Sequence, residues 1–337
     1  MEKKSVVLSF DYELFFGVRS GTVLNSLITP TSKIMEAMES VGLRGNFFVD
    51  VLMIKYLKQN VDTRSREDLM MIEDQLREMV KRGHRIELHL HPHWVDAKYK
   101  GDGTWDFSDY SHYMLSTLKE EEIVQMFTEG VNYLNSLASQ VNPGYKVCAF
   151  RAGGWAVQPF KKLKRAFAEN GITIDSSVGY GRYDNSPNSQ YDFRNMPLKP
   201  LYRFSDDVCK EDGNGIFIEV PISTYYRGYV GSIVHRLTQF CKNGYNSSIA
   251  DGTHYRNDAH HKPAHGRLYV FLHPKSLNRM MSFSSNDPFT IKRSFIQSKS
   301  SLLCYIDHPK DFSKATCDCI RSLGKLNCVS KNYIDLL

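Results

Sequence analysis

Apolar and polar side chains alternate from the start of the chain. Between residues 5 and 13, Val6, Leu8, Phe10 and Tyr12 are apolar, and Ser9, Asp11 and Glu13 stand between or beside them. A period of two marks a strand with one face turned to a core. Asp11 and Glu13 then project from the same side, their α-carbons about 7 Å apart from the rise per residue. Helical spacing follows over 32–41, introduced by Thr29, Pro30 and Thr31 and ended by Gly42. A short strand is expected over 46–49, then a long helix over 66–82 ended by Gly83. Residues 85–91 alternate again, with Ile86, Leu88 and Leu90 on one face and Arg85, Glu87, His89 and His91 on the other. A helix is expected over 117–139, with Thr117 and Glu120 spaced as a capping box. A strand over 147–151 runs into Gly153 and Gly154, and a helix over 158–170 ends at Gly171. Further strands are expected over 172–176, 216–221, 268–272 and 302–307, then a helix over 312–323 and a short closing segment.

Alternating strand and helix signals predict an α/β architecture with a parallel sheet. The number of strands suits a distorted (β/α) barrel of about seven strands better than an open sheet. No internal repeat is present, so 1–337 reads as one catalytic domain with loop insertions near 94–116, 178–215 and 223–267. The first two insertions are rich in aromatic residues, among them Trp94, Trp105, Phe107, Tyr180, Tyr191 and Phe204, which argues against disorder. They read equally as a platform for sugar rings or as ordinary packing onto the barrel rim. The third is basic and holds His254, His260, His261 and His265. It reads as a solvated surface loop, with a second metal site or peripheral contact with a lipid-linked glycan as the alternatives.

Composition narrows the class. Hydrophobic residues make up 42% and charged residues 24% of the 337, the balance of a soluble globular protein. The net charge of +6 suits a groove for anionic glycans or weak attraction to an acidic surface. It does not form the dense basic stripe of a nucleic-acid module, so no nucleic-acid partner is expected. The apolar run after Lys3 and Lys4 is cut by Asp11, too early for a secretory signal. No stretch reaches the roughly 18 to 20 apolar residues that span a bilayer, and a cytoplasmic location is expected. The seven cysteines read as reduced thiols, because no set of four has zinc-site spacing.

The chemistry gathers at the carboxyl ends of the predicted strands, where α/β enzymes place their sites. FDYE at 10–13, HLHPH at 89–93, FRAGG at 150–154, DS at 175–176 and IDHP at 306–309 all end strands. His89 and His93, four residues apart beside a carboxylate, would make a His₂-carboxylate metal site with open positions. His91 can replace either, since it shares the face of His89.

This set resembles the polysaccharide deacetylase family, the NodB-homology or family four carbohydrate esterases, in order from residue 5 to near the end. SFDYE at 9–13 is similar to its first motif, an aspartate base followed by a metal-binding acid. His89 and His93 have the spacing of its two metal histidines, RAGGW at 151–155 is similar to its arginine motif, and DSS at 175–177 to its fourth. The last motif, a strand ending in histidine, has two candidates, His308 and His273, of which His308 is preferred for its place near the end. Glu13 departs from members with adjacent aspartates.

The resemblance implies a hydrolase acting on carbon–nitrogen bonds, a deacetylase of carbohydrate metabolism. A divalent metal, zinc first, would be held by Glu13, His89 and His93, and would activate water and polarise the acetyl carbonyl. Asp11 would be the base, Arg151 its partner, and His308 the acid that protonates the departing amine. Asp175 would orient that histidine. The implied substrate is an acetylated sugar or a polysaccharide precursor. Two other readings stand beside it: an amidohydrolase of non-sugar amides, and an inactive glycan-binding relative.

Overall fold

The computed structural model describes residues 3–186, 188–241, 244–254 and 278–337. Its strands, in chain order, begin with β1 (Lys4–Tyr12), β2 (Gly45–Asp50) and β3 (Arg85–Leu90). After a small hairpin of β4 (Lys98–Tyr99) and β5 (Trp105–Asp106) come β6 (Ala149–Ala152) and β7 (Ile174–Asp175). A second hairpin, β8 (Tyr183–Ser186) with β9 (Ser189–Asp192), precedes β10 (Tyr202–Phe204) and β11 (Phe217–Glu219). The last are β12 (Thr224–Tyr226), β13 (Asn278–Met280), β14 (Leu302–Asp307) and β15 (Cys328–Ser330).

Nine of these strands make one sheet in the order β10, β11, β7, β6, β3, β2, β1, β14, with β15 paired to the start of β1. Within it only the β10–β11 pairing is antiparallel. The sheet curls until its two sides meet. Just past β11, the Ser223 N–H donates to the Cys304 carbonyl of β14 at 2.9 Å, and the Cys304 N–H donates to the Ser223 hydroxyl at 2.9 Å. The result is the distorted α/β barrel that the alternating pattern predicts, closed by a loop segment rather than by a regular ladder.

The period of two sorts side chains between the faces of this sheet. Val6, Leu8, Phe10, Tyr12, Phe47, Val49, Ile86, Leu88 and Leu90 face outward and are buried under the helices. Each such side chain contributes roughly 1.5–3 kcal/mol by leaving water. Val7, Phe48, Ile174, Ile218, Leu302 and Cys304 line the inside. The base of the interior is filled by Tyr333, carried in by the closing turn Tyr333–Leu336. Its N–H donates to Asn46 Oδ1 at 3.1 Å, and its hydroxyl lies 2.8 Å from Ser176 Oγ. Polar groups inside the barrel are matched to one another. Glu87 accepts the backbone N–H groups of Cys148 and Ala149 at 2.8 and 2.9 Å and the Arg85 Nε–H at 2.6 Å.

Several local expectations shift. The helix expected from residue 117 starts at Glu120; the Thr117 hydroxyl donates to the Met114 carbonyl, and Glu122 accepts the Lys119 N–H instead. The helix expected over 158–170 is broken into a 3-10 turn, Phe160–Lys162, and a short helix, Lys164–Glu169. Helices Val51–Gln59, Gly228–Cys241 and Pro288–Gln297 were not expected. The first buries Val51, Leu52, Met53, Ile54 and Leu57, too wide an apolar surface to show a stripe. In the insertion 94–116, Trp94, Trp105 and Phe107 are buried, with the Trp94 ring edge-on to both others. These rings pack onto the rim rather than offer a face to a sugar. The expected strand 268–272, together with His260, His261, His265 and His273, lies outside the described residues. Among the described residues six cysteines are free, and no helix is long and apolar enough to cross a membrane.

Candidate metal and acid–base site

β1 delivers Asp11 and, just beyond its end, Glu13 to the carboxyl-terminal mouth of the barrel, where β3 delivers His89 and the residue after its end, His91. Glu13 Oε2 lies 3.0 Å from His89 Nε2 and 2.6 Å from His91 Nε2. These three buried side chains form a group whose ligand atoms all lie within 4.8 Å of one another. His89 Nδ1 lies 2.7 Å from the Arg151 carbonyl. An N–H there donates to the carbonyl, fixing the ring and leaving Nε2 as the electron-pair donor. Two lone-pair donors and a carboxylate converging in a buried space suit a divalent cation.

His93 is not part of this group. β3 ends at Leu90, and Pro92, lacking an N–H, opens the 3-10 turn Pro92–Asp96. The turn carries His93 off the face of His89, so that His91 takes the place expected of it. His93 Nε2 donates to the Phe107 carbonyl at 3.1 Å, and its ring lies 4.6 Å from that of Tyr110. Burial, with His91 nearby, pushes the His93 imidazole down to about 4.

Asp11 and Arg151 meet as expected. Arg151 Nη1 donates to Asp11 Oδ1 at 2.5 Å, while Nη2 reaches Ser9 Oγ at 2.8 Å and Nε donates to the Ser176 carbonyl at 2.8 Å. The guanidinium also lies over the Phe48 ring, 4.2 Å from its centroid. Each arm of the fork is held, so the arginine fixes the carboxylate in place.

His308 follows β14 and closes the other side. Its Nε2 lies 3.5 Å from Asp11 Oδ2 and 3.7 Å from Glu13 Oε1. Its Nδ1 lies 3.3 Å from Asp311 Oδ2, and Asp311 Oδ1 lies 2.5 Å from His254 Nε2. Burial alone would lower its pKa, but Asp311, Asp11 and Glu13 outweigh that and raise it to about 9. The imidazolium is therefore the resting form at neutral pH.

The carboxylate that meets His308 Nδ1 is Asp311, not the expected Asp175. Asp175 lies on the opposite face of β7 from Ser176 and accepts the Ser177 N–H and hydroxyl at 3.1 and 2.8 Å. Across the ladder it faces Glu219. Burial, and then the adjoining Asp175, push the Glu219 carboxyl well above the usual range.

Three contributors were not singled out in the sequence. Lys310, on the 3-10 turn Pro309–Asp311, is buried and donates to Glu13 Oε1 at 2.7 Å and to the Leu14 carbonyl at 2.9 Å. Burial by itself would raise Glu13, but Lys310 and the two imidazoles hold its carboxyl well below the usual carboxylate range. Asp50, at the end of β2, accepts the Trp94 indole N–H at 2.6 Å and pins the turn that follows His91. Asp311 could have been found from its spacing, three residues after His308 across a proline.

No family model and no curated protein matches the chain. Among solved structures it is similar to a protein from Mycobacterium smegmatis assigned as a polysaccharide deacetylase, at 13% identity and a TM-score of 0.46, over 97% of this chain and 87% of that one. It is similar to a 4-alpha-glucanotransferase from Thermococcus litoralis at 12% identity and a TM-score of 0.49, over 98% of this chain but 37% of that one. The catalytic domain of a peptidoglycan N-acetylglucosamine deacetylase from Eubacterium rectale matches at 10% identity and a TM-score of 0.38, over 98% and 90%. Structures of polysaccharide and peptidoglycan deacetylases thus stand among those similar to this chain along nearly its whole length.

Proposed function

We propose that the chain is a metal-dependent hydrolase that removes an acetyl group, N-linked, from a sugar of a surface polysaccharide or its precursor. The observation that carries this reading is the convergence of Glu13 Oε2, His89 Nε2 and His91 Nε2 beside a carboxylate and an imidazolium that face each other, Asp11 and His308. Glu13, His89 and His91 would hold the ion, zinc by its nitrogen and oxygen donors. When bound, a divalent cation there supplies Lewis-acid polarisation of the acetyl carbonyl.

The chain's own groups account for the proton transfers. Asp11, oriented by Arg151, takes a proton at Oδ2 from the water that attacks the acetyl carbon. His308 gives the proton on Nε2 to the amide nitrogen as the C–N bond breaks, so that acetate and the free amine leave. Asp311 then holds the imidazole at Nδ1 in the orientation needed for the next cycle. The side chains of Glu13, His89 and His91 are almost sealed, whereas that of His308 is 22% exposed. Substrate therefore enters over His308.

Metal analysis combined with acetate release from a panel of acetamido sugars tests the reading. Asp11→Asn is expected to lower turnover by about 10²–10⁴ with metal retained. His89→Ala and His91→Ala should lose the metal, and His93→Ala should keep it. Wild-type turnover in the Asp11 variant would remove the proposed base.

Lys310 favours a second reading. Its ammonium already neutralises Glu13, as suits an inactive, glycan-binding relative that needs no ion. A purified chain that binds acetylated glycans, holds no metal and releases no acetate would establish it.

A further inference from the structure

Residues 244–254 of the third insertion do not stand free in solvent. They run along the mouth of the barrel, tied to the segments that follow β14 and β1. On the β14 side the Ser248 hydroxyl donates to the Lys310 carbonyl at 2.6 Å, and the Ile249 N–H to the Phe312 carbonyl at 3.1 Å. On the β1 side Asp251 accepts the Thr22 N–H and hydroxyl at 2.9 and 2.7 Å, and the Ser26 hydroxyl at 2.9 Å. Thr253 and Arg19 close the strap, the Thr253 N–H donating to the Arg19 carbonyl at 2.9 Å and the Arg19 N–H to the Thr253 hydroxyl at 3.0 Å. Gly17 makes the close approach possible, since a Cβ there would come within 2.8 Å of the His254 carbonyl carbon. The strap ends by presenting His254, whose ring stands edge-on to Phe15 with the centroids 5.0 Å apart.

One carboxylate is therefore shared by two imidazoles. Asp311 Oδ1 meets His254 Nε2 at 2.5 Å, and Oδ2 meets His308 Nδ1 at 3.3 Å. Burial alone would raise the Asp311 carboxyl, but the two rings, His254 first, hold it well below the usual carboxylate range. An ionised carboxylate only accepts, so the facing nitrogens, His254 Nε2 and His308 Nδ1, carry the hydrogens. The hold of His254 is the tighter of the two. The other contacts of the His308 ring are longer still, 3.5 Å to Asp11 and 3.7 Å to Glu13. The place of the ring thus depends on the carboxylate, and the place of the carboxylate on His254.

We propose that His254 is a positioning residue of the reacting centre: by donating from Nε2 to Asp311 Oδ1, it fixes the carboxylate that aims the His308 ring. This rests on the reading of His308 as the acid, and gives the third insertion a part in the same reaction. A hydrogen bond to an ionised acceptor is the strong kind. The strap, tied on both sides, delivers its donor to a turn that would otherwise leave the aspartate side chain free to rotate.

The test uses the full chain and separates the donor from the ring. His254→Gln keeps an N–H at similar reach and lacks the ring, whereas His254→Phe keeps a ring against Phe15 and lacks the donor. The side chain is 42% exposed, so both variants, and His254→Ala beside them, are expected to fold. The Phe and Ala variants should lower kcat for acetate release by about tenfold or more with KM and metal content unchanged, and the Gln variant should stay within about threefold of the parent. A second readout needs no turnover. In the chain carrying isotope-labelled histidine, the His308 Nδ1–H should exchange with water about tenfold faster in the Phe and Ala variants, and at the parent rate in the Gln variant. Full turnover in the Phe variant, or a Gln variant no better than the other two, overturns the donor role and leaves the deacetylase standing. Loss of metal from the His254 variants would make that residue a ligand and overturns the proposal as well. Donor-dependent exchange at His308 without acetate release from any sugar keeps the positioning and removes the deacetylase.

Discussion

At the scale of single residues, two neighbouring histidines have opposite surroundings. His91 contacts the Glu13 carboxylate at 2.6 Å, whereas His93 is buried among Phe16, Phe107, Tyr110 and Tyr113. The depressed His93 pKa has a definite sign. An unfolded histidine binds its proton near its ordinary value of about 6.5, while the folded one resists until about 4. The unfolded chain therefore takes up protons first, and stability falls as pH drops through that window, by on the order of 3 kcal/mol at most. His93→Phe, which suits its aromatic neighbours, is expected to remove that part of the acid sensitivity. Denaturant midpoints for both proteins at pH 7 and pH 4 measure it, and parallel losses would show that His93 is not the sensitive group. Asp11, Arg151 and His308 were legible in the sequence because each ends a strand beside an apolar run. Lys310 was not, because nothing distinguishes a lysine that turns inward from one that meets water until the chain around it is placed.

At the scale of elements, the departures arise where a strand stops. The strand period puts positions 89, 91 and 93 on one face, but only while the strand continues. Pro92 stops it, and that was the available signal for choosing His91. Parity misled in a related way at β7, where Ile174 and Ser176 face inward and Asp175, between them, faces out. The turn after β6 makes the complementary fit to β3. A Cβ at Gly153 would come within 2.7 Å of the His91 ring and of the Leu90 carbonyl, a contact that requires one of them to move. Gly153→Ala should therefore displace His91 and weaken metal binding by about tenfold or more, with overpacking costing about 1–3 kcal/mol of stability. Competition with a chelator reads the affinity, and unchanged affinity would mean that the ring is free to retreat. The long aromatic insertions were legible as ordered, but their role as rim packing was not, since burial of a ring depends on what lies beneath it.

At the scale of the whole molecule, the site depends on a residue far from any substrate. The Tyr333 hydroxyl lies 3.3 Å from Arg151 Nη2 and 3.3 Å from Cys304 Sγ, besides its contact with Ser176. It is therefore part of the shell that holds the arginine under Asp11. Tyr333→Ala should cost about 3–5 kcal/mol through the cavity it leaves, and Tyr333→Phe about 1–3 kcal/mol through the lost hydroxyl contacts. The Phe variant should also lower kcat while metal content stays full, which distinguishes a positioning role from a merely structural one. Equal kcat in the two proteins would confine Tyr333 to stability. The barrel itself was legible because alternation along each strand is local, whereas its floor was not, since no local pattern says that a tyrosine near residue 333 will travel to the base of β1 and β2.

That arrangement also bears on how the protein is made. A chain leaving the ribosome has released Asp11, the histidines and Arg151 long before Tyr333 emerges, and until it does the interior of the barrel lacks its plug. The arginine must wait without one of its neighbours, beside an open space that water can enter. Synthesis therefore orders the events: the reacting groups appear first, and the fork beneath the base is completed only when Tyr333 arrives from below.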